Sequence, residues 1–103
     1  MITSAIEIIT PKVTDVLVTD DTLKVDLSDG RAISVPLAWF PRLIEANKEE
    51  RSNWKLIGDG FGIHWIKIDE DISVISLLTG KPSGESPGSF KKWLKKRKGL
   101  KSK

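Results

Sequence analysis

The sequence predicts an α+β domain: a small antiparallel sheet, built from a three-stranded meander plus a second hairpin, with short helices on one face. Three observations carry this reading. Residues 23–27 alternate apolar and polar side chains, with Leu23, Val25 and Leu27 on one face and Lys24 and Asp26 on the other, the period-2 signature of a half-buried strand. Asp29-Gly30 stands between that run and the next apolar run, and Asp-Gly favours a tight hairpin because Gly accepts positive φ. Pro36 and Pro41 then break the chain, so that short helical pieces follow the meander and not one long helix.

The first strand of the meander lies around residues 14–19 and Asp20-Asp21 joins it to the second. Residues 32–35 form the third, with Ile33 and Val35 facing the core. A helical piece over residues 41–46 presents Leu43, Ile44 and Ala46, since Pro at a first helical turn forfeits no intrahelical bond. A second piece starts at Asn47, a good N-cap, with Glu50 three residues on. The second hairpin pairs residues 55–58 with 63–68 across Gly58-Asp59-Gly60-Phe61-Gly62. Asp69-Glu70-Asp71 closes the last strand, and Ser73 caps a short helix over residues 74–79 that ends at Gly80. The expected core is Leu23, Val25, Leu27, Ile33, Val35, Leu43, Leu56, Ile63 and Ile68.

A chain of 103 residues fits one domain. Residues 1–12 are an N-terminal extension in which Ile6, Ile8 and Ile9 extend a strand only as far as Pro11 allows. Residues 13–80 are the single α+β domain. Residues 81–103 are a linker and basic tail, because residues 81–89 read KPSGESPGS. The net charge of +3 hides an asymmetry. Residues 81–103 carry nine of the 17 Lys and Arg and one of the 14 acids, Glu85. Residues 1–80 therefore hold the other eight basic and thirteen acidic residues, and an acidic body carries a basic tail, a pattern typical of interaction segments. No Cys is present, which excludes disulfides, thiol nucleophiles and thiolate metal sites. The start MITSAIEIIT lacks the basic flank of a signal peptide, and no apolar run approaches the ~20 residues of a membrane span. The expected location is cytoplasmic.

Four blocks stand in order along the chain: VPLAWFPRL at residues 35–43, NWKLIG at 53–58, GFGIHW at 60–65 and DEDISVISLLTG at 69–80. With the Asp-Gly turn of the meander, they resemble the pattern of a bacterial family designated domain of unknown function 2442. The resemblance covers residues 13–80. Ile66 departs from the pattern, which often carries Pro after the Trp. Members of that family are often encoded beside a second small uncharacterised protein, in pairs suggested to be toxin–antitoxin modules. The resemblance thus implies a small protein partner and an antitoxin-like or regulatory role, and it supplies no catalytic residues.

No pattern orders a nucleophile and a base, and the glycine cluster at 58–62 is followed by a strand, where a phosphate loop requires a helix. His64 with Asp69, Glu70 and Asp71 is the one group with acid–base or metal-binding chemistry, and its strand-and-turn context reads as structural. The expectation is therefore a non-enzymatic interaction module with no catalytic residue, metal or cofactor. Its partner site is an exposed aromatic surface at Trp39, Phe40 and Trp65, since Trp is enriched where binding energy concentrates. The alternative is a nucleic-acid-binding protein acting through the tail, where Lys91, Lys92, Trp93, Lys95, Lys96, Arg97 and Lys98 engage a polyanion or an anionic membrane surface. On a helix Phe90, Trp93 and Leu94 form a narrow apolar stripe among the lysines, and the tail is expected to pack little against the body. Oligomeric state is not legible.

Overall fold

The computed structural model describes residues 10–101, with side chains through Lys98. The strand expectation at Ile6, Ile8 and Ile9 lies outside these residues. Two antiparallel three-stranded sheets make the body. The first runs β1 (Val13–Val18), β2 (Thr22–Leu27) and β3 (Ala32–Pro36) in sequence order. The second runs β4 (Trp54–Ile57), β5 (Gly62–Trp65) and β6 (Glu70–Ser73). Between them lie a 3₁₀ turn at Leu37–Trp39, α1 (Pro41–Glu45) and α2 (Lys48–Ser52), and after them α3 (Val74–Leu78) and α4 (Pro87–Lys101).

The local chemistry explains these breaks. Gly30 closes the β2–β3 hairpin with φ of 94°, a conformation that any Cβ would strain. Asn47 and Glu50 form a reciprocal capping box at the start of α2: the Asn47 side chain accepts from the Glu50 N–H, and the Glu50 carboxylate accepts from the Asn47 N–H. Two donors that the short helix would otherwise leave unpaired are satisfied. Ser73 caps α3 by accepting from the N–H of Ser76.

One apolar core joins both sheets. Leu23, Val25 and Val35 enter it from the first sheet, Ile63, Trp65 and Ile72 from the second, and Leu37, Phe40 and Leu43 from the connection. Arg51 fastens the connection to the first hairpin, donating to the carbonyls of Leu43 and Ile44 and pairing with Asp20 at 2.9 Å. Of the expected core, Leu23, Val25, Leu27, Val35, Leu43, Ile63 and Ile68 are buried and Ile33 is half-buried.

Four expectations are corrected. Leu56 is 40% exposed. It shares a face with its cross-strand partner Ile63, but β4 is an edge strand, so only one flank of Leu56 is covered. The strand expected over residues 63–68 ends at Trp65, and residues 66–69 turn the chain back, with Asp69 at φ of 53°. The acids that follow are not a closing turn but the start of a third strand, β6, in which Glu70 and Ile72 point inward and Asp71 and Ser73 outward. Finally, the tail does not stand apart. Residues 81–86 form no regular element, and α4 folds back onto α1 and α2.

Candidate functional site: the docked basic helix

At about 100° per residue, the side chains of α4 sort into two arcs. Phe90, Trp93, Leu94 and Arg97 fall within roughly 100° of one another, and all four are half-buried. Lys91, Lys92, Lys95, Lys96 and Lys98 occupy the complementary arc of roughly 160°, and all five are exposed. The apolar stripe read from the sequence is therefore the docking face.

A ladder of alternating charges and rings holds that face. Phe90 stacks on Trp93 with ring centroids 5.8 Å apart. The guanidinium groups of Arg42 and Arg97 each lie 5.1 Å from the Trp93 ring centre, within cation–π range. Each arginine is fixed by a carboxylate. Arg42 meets Glu85 through Nη2 at 2.6 Å and Nε at 3.0 Å, and its Nη1 donates to the carbonyls of Ile68 and Asp69. Arg97 meets Glu50 at 2.6 and 2.8 Å and donates to the carbonyl of Glu45. The side chains of Arg97 and Glu50 are only 14% and 13% exposed. Planar two-pronged contacts of this kind suit arginine and not lysine. Hydrogen bonds from Arg42 hold the Glu85 carboxyl below its ordinary value. Ser89 adds a further bond to Glu85.

Burial removes most of the expected aromatic surface. Phe40 is 2% and Trp65 0% exposed, and the Trp65 indole N–H donates to the carbonyl of Arg51 at 3.0 Å. Trp39 alone of that trio is partly exposed, and it packs against the core. The reason is size: a body this small needs its large rings as core volume. Trp93 and Arg97, expected among the polyanion-binding residues, instead face the body. Lys91, Lys92, Lys95, Lys96 and Lys98 remain on the outer arc.

The residues around His64 do not converge. His64 Nδ1 lies 2.5 Å from Asp71 Oδ1 as a cross-strand pair on the exposed face of the second sheet. Glu70 points to the opposite face and is 8% exposed. Among the described residues no group of three His, Cys, Asp or Glu is placed to hold a metal ion, and no helix is long and apolar enough to cross a membrane. The sequence places Glu70 in an acidic turn and in the group around His64, and neither reading buries it. Its carboxyl is pushed up to about 7, chiefly by burial, with the charges of Glu85, Asp71 and Asp69 adding to the rise and Arg42 opposing it.

Residues 13–83 match the family described as "Protein of unknown function (DUF2442)". The chain belongs to the DUF2442 family. The match ends at Ser83, so α4 lies outside the family's shared portion. A crystal structure of a protein of unknown function from Rhodospirillum rubrum is similar to this chain, at 23% identity and a TM-score of 0.63, over 73% of this chain and 93% of that one. At that identity the likeness speaks for the fold alone. No curated protein matches the chain.

Proposed function

We propose that this DUF2442 protein is a non-enzymatic, cytoplasmic nucleic-acid-binding module, and that α4 is its contact surface. The observation that carries the reading is the sorting of charge on α4. Its single arginine, Arg97, faces inward and is held by Glu50, while Lys91, Lys92, Lys95, Lys96 and Lys98 face outward from a platform that is already folded. Ordering a charged segment before binding lowers the entropy lost on association. Lysine without outward arginine, asparagine or glutamine supplies phosphate contacts and little base readout. Trp93 has a guanidinium stacked near it from both α1 and α4, which disfavours its stacking on bases or inserting into a bilayer. The expected ligand is duplex phosphate backbone, with little sequence preference.

The test uses the full chain, because α4 contributes packing to the body and its removal would confound binding with stability. Fluorescence anisotropy on mixed-sequence duplex DNA across a salt series compares the parent with Lys91, Lys92, Lys95 and Lys96 all changed to Gln. Four phosphate contacts give a slope of log affinity on log salt of roughly −3 to −4. The variant should lose at least about tenfold in affinity at low salt, and its slope should move toward zero. Equal binding by both proteins, or no binding by the parent, refutes the proposal. Preference for anionic vesicles over DNA would also refute it.

A small protein partner, in an antitoxin-like or regulatory pairing, is the second reading. Phe61 and Ile75 support it: both are exposed, and with Thr10 they line an apolar cavity of about 250 Å³. Co-purification of one stoichiometric partner through a high-salt, nuclease-treated column, lost in Ile75→Asp, is its test. A partner that survives that substitution would sink the assignment to this face.

A further inference from the structure

We propose that the cavity between β6, α3 and residues 81–84 binds an aliphatic ammonium group, with Glu70 as its anionic anchor. This goes beyond the reading of α4 and does not depend on it. The cavity measures about 340 Å³. Phe40, Ile57 and Ile72 give it an apolar wall, and Ser73, Ser76 and Glu70 give it polar groups. That combination suits a ligand with a hydrocarbon stem and a charged head.

Glu70 is the unusual member. It is more than nine-tenths buried, and among the described residues its carboxylate makes no ion pair or side-chain hydrogen bond. Its nearest opposite charge, Arg42, is committed: Nε and Nη2 serve Glu85, and Nη1 serves the carbonyls of Ile68 and Asp69. Arg42 therefore hydrogen-bonds Glu85 and acts on Glu70 only through its charge, without a direct contact. Among the described residues no fully buried side-chain oxygen lacks a partner, so the Glu70 carboxylate meets water at the cavity, and an incoming cation would replace that water with an opposite charge. The charges that act on it are Arg42 on α1, Asp69 in the turn, Asp71 on β6 and Glu85 on the following segment, with Lys81 at the rim of the cavity and His64 on the opposite face of the sheet. Asp71 is occupied by His64, and Lys81 is exposed at the cavity. With too few ligating groups for a metal ion, the cation that fits is organic. The segment forming the far wall is held in place, since Lys81 N–H donates to the Ser76 carbonyl and Ser83 N–H to the Trp39 carbonyl.

The ligand chemistry has two sources, a free amine or a lysine side chain of another protein, and both are probed. The isotopically labelled full chain is titrated by NMR with n-butylammonium, with Nα-acetyl-lysine methylamide, and with n-butanol as the neutral control. Both ammonium probes should shift the amides of Ile72, Ser73 and Ser76 and the Glu70 carboxyl carbon at about pH 8. Because the carboxyl titrates near 7, affinity should fall about tenfold on lowering the pH to about 6. Stronger binding of n-butylammonium marks a free amine, and stronger binding of the lysine derivative marks a partner's side chain. Glu70→Gln should abolish the response. Ser76→Leu, which fills the cavity and leaves the carboxylate, should also abolish it. Absence of shifts in the parent overturns the proposal, as does an equal response to n-butanol or undiminished binding by Glu70→Gln.

Discussion

Glu70 should make this protein less stable as pH rises through neutrality, and Glu70→Gln should remove that loss. The carboxyl titrates near 7 in the folded state against an ordinary 4.5. Below about pH 4.5 the group is protonated in both folded and unfolded chains, and it imposes no penalty. Between these values the folded chain holds a proton that the unfolded chain has released, so stability declines with rising pH. Above about pH 7 the decline is complete. The two-and-a-half-unit gap corresponds to about 3 kcal/mol, a large share of a small domain's 5–15 kcal/mol. A neutral amide keeps the shape and removes the buried charge. Urea unfolding at about pH 5 and about pH 8.5 should therefore separate the two proteins: near-equal midpoints in acid, and the variant ahead by up to about 3 kcal/mol in base. In thermal unfolding the gap at the higher pH is roughly 10 °C or more. If Glu70→Gln is equally or less stable than the parent at about pH 8.5, Glu70 has a compensating partner, and both the burial argument and the ammonium site fail together.

Other perturbations follow from single contacts. Glu85→Gln should flatten the acid limb of the stability curve: the Glu85 carboxyl lies below its ordinary value, so its contribution is present above about pH 4.5 and lost as pH falls through its folded value. A double-mutant cycle of Glu50→Ala and Arg97→Ala should give a coupling of about 1 kcal/mol or more, measured by chemical denaturation, because the pair is largely shielded from water; additive effects would mean that α4 is not docked. Trp65→Ala should cost about 3–5 kcal/mol, whereas Leu56→Ala, at a half-covered edge position, should cost less than about 1.5 kcal/mol, and reversal of that order in denaturant midpoints would contradict the core described above. Asn47→Ala removes the capping box and should cost about 1 kcal/mol.

The parts legible in the sequence were those fixed by local chemistry. The meander followed from alternation at residues 23–27 and a glycine that turns with positive φ. Asn47 and Ser73 announced their helices because capping requires a short side-chain acceptor at one defined position. What escaped depended on neighbours distant in sequence. The third strand of the second sheet was hidden because Glu70, a carboxylate, occupies an inward position where alternation calls for an apolar residue. The signal was present in Glu70-Asp71-Ile72-Ser73, but only to a reader willing to bury an acid. Leu56 has the right periodicity for a core residue, and no periodicity reveals which strand of a sheet lies at its edge.

The tail shows most clearly why net charge is an incomplete guide. Counting Arg97 with the lysines made residues 91–98 a uniform cationic segment, for which solvation is the default. Position and side-chain type divide it. Arg97 lies one helical turn after Trp93 on the same face; Arg97 reaches the Glu50 carboxylate and Trp93 the Arg42 guanidinium, each on an element some 50 residues earlier in the chain. Glu50 serves twice, closing the capping box of α2 and receiving the Arg97 guanidinium. The cap that starts α2 and the contact that docks α4 thus share one carboxylate. Fixing α4 in this way separates two roles that the sequence presents as one: arginine neutralises the acidic body where the helix touches it, and lysine carries the remaining charge outward. A tail lacking Trp93 and Arg97 would have nearly the same net charge but no defined face. The case for α4 as a contact surface therefore rests on orientation more than on charge.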